Sequence, residues 1–511
     1  MTLQRVRLAL AAITLLTSAS IAFAADPVHI YVSSDTTGTP FPHFWERTFG
    51  SGRAVLALRD NYRKDIRLVK GITGFESVRF HAIFHDEIGL YDTDTKGTVS
   101  YNFSYIDQIY DGLLADGVRP FVELGFMPQQ MAADPKGIFG FWYKPNVSPP
   151  KDYAQWDALI DVFARHLVAR YGIDEVAQWN FEVWNEPNIG FWGGKPYQAT
   201  YFELYDHTAL ALKKVDLRLR VGGPSTAQAA WAADFIAHCE ANHIPVDFIS
   251  SHVYANDTSQ DVFHSDVPVA RDQMVCKAVH KVHEEIRSSA RPELPLIFSE
   301  YNASYANEPD VTDTIYMGPW LATTISQCDG LTEAMSYWAF SDVFEEGGVV
   351  KTPFYGGFGL VAEDGIQKPA FNAFGILHKL GTTRLPSGSD SALITRRTDG
   401  TLVVSLWNYA PPDGTGEKYT APAPAGAAKQ FILDLPGVRP HARATLWRVD
   451  ADHGNVLKSY DAMGRPPFPD RAQIQALRAA GALSPPETLM VTAHQLQVLV
   501  PTHGLAVIEI H

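Results

Sequence analysis

Between about Ile72 and Leu380 the chain alternates short apolar runs with longer amphipathic ones. "ESVRFHA" and "VRPFVELGF" are strand-like, and "YIDQIYDGLLADG" between them carries apolar residues at helical spacing with Gly117 as a stop. "DALIDVFARHLVARYG" repeats the helical pattern, ends at Gly172, and is followed by the strand "VAQWNFEVWNEP". The helix "ELYDHTALALKKV" leads to the strands "RLRVGGPS" and "VDFISSHVY". The helix "RDQMVCKAVHKVHEEIRSS" leads to the strands "LPLIFSEY" and "LTEAMSYWAF". Repeated strand–helix alternation predicts a parallel sheet. With "WERTFGSGRAV" as the first strand there are eight, over about 330 residues, which predicts a closed (β/α)8 TIM barrel. A doubly wound open sheet is the alternative. No GxGxxG or GxxxxGK[ST] stands at a strand–helix turn to support nucleotide binding.

After about Gly381 helical patterning becomes rare. "DSALITRRTDGTLVVSLWNYA", "KQFILDL", "ARATLWRVD" and "LQVLVPTHGLAVIEIH" read as strands separated by Gly, Pro and Asp turns, with "DRAQIQALRAAG" as one short helix. This predicts a C-terminal β-sandwich with "APPDGTGEKYTAPAPAGAA" as an internal loop. It has no obvious row of exposed aromatics and reads as a brace. The expected organisation is a leader over 1–24, an N-terminal strand packing on the sandwich over 25–40, a catalytic barrel over 41–380 and the sandwich over 381–511.

The leader is read from Arg5 and Arg7, the apolar run Leu8 to Leu16, and Ala22-Phe23-Ala24 as a small-x-small cleavage pattern. It is too short to span a bilayer, so export to the periplasm or medium is expected, with no membrane attachment after cleavage. Cys239, Cys276 and Cys328 are too few and too scattered for a disulfide scaffold or a cysteine zinc site. At most one bridge is possible, and buried free thiols are the default. A formal net charge of -15 argues against nucleic-acid binding.

In a parallel barrel the chemistry sits at the C-terminal ends of the strands. Here those ends carry Arg79-Phe80-His81, Glu123 with Phe126, Trp184-Asn185-Glu186, His252-Val253-Tyr254, Ser299-Glu300-Tyr301 and Trp338-Ala339-Phe340. Pro187 is expected to hold Glu186 extended at the strand terminus. Glu300 ends the apolar run Leu294 to Phe298. Glutamates on strands four and seven would face each other across the barrel mouth, as glycoside hydrolysis requires. Aromatic surroundings should keep one protonated. Arg79, His252 and Tyr254 should keep the other ionised. Glu182, deeper in the strand, reads as a structural hydrogen-bonding residue. His81 and His85 have HxxxH spacing beside Asp86 and Glu87, but strand-then-loop geometry argues against a metal pair, and no metal or cofactor is expected.

"NFEVWNEPN", "LIFSEYNASY", "RFHAIFHDE" and "MSYWAFSDVFEE…FYGGFGL", in one chain, resemble glycoside hydrolase family 39, which contains β-xylosidases and α-L-iduronidases. The resemblance covers nearly the whole mature chain. It implies Glu186 as acid/base, Glu300 as nucleophile and Arg79 as the nucleophile-side arginine. It also implies Asn185 on the sugar 2-hydroxyl, Tyr254 on the nucleophile, and His81, Phe126, Trp338 and Glu345 lining the sugar pocket. His252 is counted with the sugar-binding set. A uronate would need a cation, whereas "YANDTSQD" has no Lys or Arg and the last rim offers Asp342, Glu345 and Glu346. A small neutral oligosaccharide is therefore expected. The expected activity is release of β-D-xylose from non-reducing ends with retention, with activity on α-L-arabinofuranosides as an extension. An endo-acting glycanase and a non-catalytic carbohydrate-binding protein are the alternatives.

Overall fold

The computed structural model describes residues 26–32, 36–410 and 426–511. The leader read at 1–24 and most of the Pro/Gly/Ala-rich loop lie outside the described residues. Eight parallel strands close into a barrel in chain order. They are β1 (Thr48–Arg53), β2 (Ser77–His81), β3 (Arg119–Leu124), β4 (Asn180–Val183), β5 (Arg220–Thr226), β6 (Phe248–Tyr254), β7 (Leu296–Asn302) and β8 (Ala334–Tyr337). The fold is a TIM barrel with a C-terminal β-sandwich. The side chains of Phe121, Phe248, Ile297 and Ala334 plug the barrel floor. Nothing large can enter from that end, so the opposite rim is the open one.

The register slips by one residue at two places that matter for the rim. Ser251 pairs with Phe298 and His252 with Glu300, so Ser299 is an extra residue on β7. Ser250 pairs with Pro224 and Ser251 with Thr226, so Ser225 is an extra residue on β5. In a regular strand neighbouring side chains face opposite sides. A bulge breaks that alternation and re-aims a side chain. Ser299 and Glu300 thus both reach groups inside the barrel.

The helices Tyr153–Tyr171, Tyr197–Val215 and Arg271–Arg287 pack around the barrel with one apolar face inward, as their periodicity predicts. Met317–Cys328 is different: every residue from Met317 to Ile325 is buried, so it shows no amphipathic stripe there. It is enclosed because the sandwich covers its outer face, and Gly318 lies against Leu505. One disulfide joins Cys276 to Cys328 on neighbouring helices, with Cα atoms 5.2 Å apart, while Cys239 is buried and free. This is the one bridge the sequence allowed, formed in place of the free thiols taken as the default.

The sandwich has a seven-stranded sheet in the order Thr39–Pro40, Thr383–Leu385, Ala392–Arg396, Leu402–Trp407, Leu505–Ile510, Arg443–Val449, Glu487–Met490. Its partner sheet is Val28–Tyr31, Lys429–Asp434 and Gln495–Val500, the N-terminal strand running parallel to Lys429–Asp434. Alternate residues of the large sheet serve different cores. Ile394, Val404 and Ile508 face the small sheet. Leu393, Val403 and Val507 join the barrel core. Two helices inserted in this domain, Val456–Ala462 and Arg471–Gly481, pack Val456, Tyr460 and Leu477 against Phe354, Ala362 and Ile366 from the segment after β8. Among the described residues no helix is long and apolar enough to cross a membrane.

That segment is also held by a buried charge cluster. Lys368 Nζ lies 2.7 Å from both Asp313 and Asp342 and donates to the Gly357 carbonyl, all out of contact with water. Removing the cation leaves two buried carboxylates facing each other. We expect Lys368→Met to lower the free energy of unfolding by about 3–5 kcal/mol, read from chemical denaturation followed by tryptophan fluorescence. A loss below 1 kcal/mol would show that the cluster is not what anchors this segment.

Candidate active site

One buried guanidinium organises the rim. Arg79, on β2, is fully enclosed and reaches groups on four other strands. Its Nε donates to Glu182 at 2.5 Å, Nη1 to Glu300 at 2.6 Å and Nη2 to Asn185 Oδ1 at 2.9 Å. Glu123 lies 2.9 Å from Nη2, and Ser225 Oγ accepts at 3.3 Å. The neighbouring carboxylates keep the guanidinium charged despite burial.

Glu186 stands beyond the end of β4. Its φ is 45° and that of Trp184 is 72°, both in the left-handed region. This corrects the expectation of an extended Glu186 before Pro187. Two anchors hold the turned backbone: Glu186 N–H donates to the Ser225 carbonyl at 2.8 Å, and Trp184 Nε1 donates to the Phe191 carbonyl at 2.7 Å. Left-handed conformations of non-glycine residues cost on the order of 1–3 kcal/mol and persist where surrounding bonds impose them. The turn brings Glu186 against β6 and β7. Its Oε1 lies 3.0 Å from His252 Nδ1. One oxygen of Glu186, one of Glu300 and a nitrogen of His252 all lie within 4.8 Å of one another.

The two carboxyls sit in different fields. Glu186 is pushed well above the usual carboxylate range by burial, then by the charges of Glu300 and Asp257. Burial also raises Glu300, but Arg79, His81 and a hydrogen bond from Tyr254 act against it. Tyr254 OH donates to Glu300 Oε2 at 2.6 Å. Trp184 is buried, with its indole N–H committed to a carbonyl. Burial and neighbouring negative charge thus favour the protonated form of Glu186.

A cavity of about 270 Å³ opens between these groups. Of the residues selected from the sequence, His81, Asn185, Glu186, Tyr254, Glu300 and Trp338 line it. Three others stand behind or beside it. Phe126 is fully buried and backs Phe191, stacked at 6.3 Å, so Phe191 presents the aromatic face instead. His252 is enclosed and meets the cavity only through Glu186 and Glu300. Glu345 is held by Arg53 at 3.0 Å and Arg59 at 2.5 Å. Burial opposes its charge, but the two arginines win and hold it below its ordinary value. It lines an outer groove of about 570 Å³, and Glu346 takes its place in the cavity. Burial pushes Glu346 up to about 8.

The structure also adds Asp257, which sequence reading left out, and gives Glu123, seen there only as a strand-end residue, its partner. Asp257 lines the cavity and accepts the Tyr254 N–H at 2.7 Å; burial raises it to about 7. Glu123 accepts from His81 Nδ1 at 2.6 Å and raises that imidazole against the effect of burial. Asp257 falls in the "YANDTSQD" loop, and its acidity was visible, but nothing in the string says that it turns inward. His85 lies in the loop after β2, near Glu87 at 3.6 Å, and burial lowers it.

A closed barrel with two opposed carboxyls at the ends of β4 and β7, one biased to the acid form and one held by a cation, defines a glycosidase. The family model described as "Glycosyl hydrolases family 39" matches residues 28–489, and the chain belongs to that family. It is 37% identical over 450 residues to a β-xylosidase of Geobacillus stearothermophilus, covering 86% of each chain. It is 36% identical over 454 residues to a β-xylosidase of Caldicellulosiruptor saccharolyticus, covering 86% of this chain and 88% of the other. A solved monomeric β-xylosidase of Caulobacter crescentus CB15 superposes with a TM-score of 0.85 at 34% identity, covering 95% of this chain and 99% of that one.

Gly50 on β1 explains how Trp338 reaches the cavity wall. A Cβ at Gly50 would stand 2.1 Å from the indole Cε3. Gly50→Ala must therefore displace Trp338. We expect kcat/KM to fall on the order of 10²-fold, with some loss of thermal stability from the overpacked ring. Unchanged kinetics in the folded variant would remove Trp338 from the substrate wall.

Proposed function

We propose that the protein is a retaining exo-β-xylosidase that removes β-D-xylose from the non-reducing ends of xylo-oligosaccharides, in xylan breakdown. The observation that carries the retaining part of this reading is that one carboxyl oxygen of Glu186 and one of Glu300 lie within 4.8 Å of each other. Retaining enzymes place the pair about 5–5.5 Å apart, while inverting ones leave about 6.5–9.5 Å for a water. Glu300, steadied by Arg79 and Tyr254, attacks the anomeric carbon while Glu186 gives its proton to the leaving oxygen. Glu186 then takes a proton from water, which displaces Glu300 and restores the starting configuration. Asn185 spends its carbonyl oxygen on Arg79, leaving its amide N–H groups for a sugar hydroxyl.

Three further observations support the choice of sugar. The curated relatives matched over most of their length are β-xylosidases. Among the described residues the cavity lining holds Glu186, Asp257, Glu300 and Glu346 and no lysine or arginine, which disfavours a uronate. Its volume suits a small sugar unit, with the outer groove beyond Glu346 available to the leaving group. Activity on α-L-arabinofuranosides is a secondary expectation. We also propose export: the leader pattern and one disulfide both fit an oxidising compartment.

The test is a panel of aryl xyloside, arabinofuranoside, glucoside and iduronide, with NMR of the first-formed sugar. Xyloside should be cleaved fastest, with β-xylose appearing first. First-formed α-xylose would overturn retention, and rapid loss of xylan viscosity ahead of monosaccharide release would overturn exo action. Activity needs Glu300 ionised and Glu186 protonated, so kcat/KM should be bell-shaped. It should fall at low pH as Glu300 protonates and at high pH as Glu186 ionises. Because burial raises both groups, both limbs should lie above the ordinary carboxylate value of 4.5. Glu300→Gln should lose more than about 10⁴-fold in kcat, and near-normal turnover would end the nucleophile assignment.

A further inference from the structure

Behind Glu186 runs a chain of hydrogen bonds whose donors can be assigned one by one. An arginine guanidinium can only donate. Arg79 Nε is 2.5 Å from Glu182 Oε2, so Glu182 accepts there, and a carboxylate is an acceptor at both oxygens. Ser299 Oγ lies 2.6 Å from Glu182 Oε1 and must supply the proton of that bond. A serine has one proton to give. His252 Nε2, 3.1 Å from the same Oγ, must therefore donate to it. Ser225 Oγ also faces Nε2, but at 3.5 Å, and it accepts from Arg79. A neutral imidazole that carries its proton on Nε2 has a bare Nδ1. That nitrogen faces Glu186 Oε1 at 3.0 Å.

We propose that Glu182, Ser299 and His252 form a relay that fixes His252 as its Nε2–H tautomer and thereby keeps the acid proton on Glu186 between turnovers. With Nδ1 bare, only the protonated carboxyl can complete the Glu186–His252 bond. An ionised Glu186 would set its oxygen against a lone pair unless His252 took up a proton. That uptake is opposed by burial and by the neighbouring charges of Arg79 and His81. The reverse chain, with Ser299 donating to His252, would put two lone-pair-bearing oxygens of Ser299 and Glu182 2.6 Å apart. The other ionisable groups facing Glu186 are Glu300 on β7, Tyr254 on β6, Asp257 after β6, Glu346 after β8 and Arg79 on β2. The relay adds direction to their field. His252, Ser299 and Glu182 are positioning residues, since they act through Glu186.

This rests on the reading of Glu186 as the acid, and the two can be tested apart. The measurement is kcat/KM against pH with an aryl xyloside carrying a poor leaving group. Ser299→Ala frees His252 to carry its proton on Nδ1 and donate to an ionised Glu186. Its basic limb should move down by about one pH unit, the scale of one such hydrogen bond. Ser299→Thr, which keeps the hydroxyl, should restore the limb. An unmoved or upward-shifted limb in folded Ser299→Ala overturns the relay. If Glu186→Gln retains the wild-type basic limb, the acid assignment fails and the relay with it. Should Ser299→Ala fail to fold, ¹⁵N NMR of wild-type His252, identified by loss of its signals in His252→Asn, decides the matter. A bare Nδ1 with a protonated Nε2 supports the relay, and a protonated Nδ1 overturns it.

Discussion

The barrel rim depends on the buried charge of Arg79. An isolated guanidinium there would be costly, and so would each of the carboxylates Glu123, Glu182 and Glu300. Together they offset one another, through hydrogen bonds that leave little freedom in any side chain. Such a cluster need not stabilise the fold more than an apolar core would. What it does is orient. Arg79 sets the position of the Glu300 carboxylate, turns the Asn185 amide and holds Glu182 as an acceptor, all with one planar group. The chemistry of the site follows from these commitments: each acceptor already spent on Arg79 leaves a defined remainder for the substrate.

Backbone irregularity serves the same end. A regular β7 would show the barrel interior either Ser299 or Glu300, and the register slip delivers both. The left-handed turn at Trp184 and Glu186 lifts the second carboxyl out of its strand toward the first, held by the Ser225 carbonyl on the neighbouring bulge. The two carboxyls thus approach because β7 carries a bulge and the chain turns just past the end of β4. The sandwich contributes from outside. One face of its large sheet completes the barrel core, and its inserted helices brace the segment after β8 that carries Glu345 and Glu346.

Much of this was legible in the linear pattern. Strand–helix alternation points to a parallel sheet buried on both faces, and the count of eight apolar strand runs favours a closed barrel over the doubly wound alternative. The change to turn-rich alternation near Gly381 marks the second domain for the same reason. Polar and titratable residues at the ends of otherwise apolar strands pick out the rim, and with it Glu186, Glu300, Arg79, Asn185, His81, Tyr254 and Trp338. These are consequences of local periodicity, which sequence carries directly.

What only the tertiary structure decided are the pairings between residues far apart in the chain. Glu345 and Glu346 are chemically alike and adjacent. Two arginines from the end of β1 and just beyond it claim the first, and the second turns into the cavity. Phe126 and Phe191 are equally plausible as wall, and packing order alone puts Phe191 in front. Cys276 and Cys328 meet because their helices are neighbours around the barrel. Pro187 led to an extended Glu186, but hydrogen bonds from an adjacent strand overrode that local preference. Sequence by itself determined which elements form and which ends of them carry charge. The partner of each charge was decided by strand register and bulges, because a one-residue slip changes which side chain faces inward while leaving the apolar pattern almost untouched.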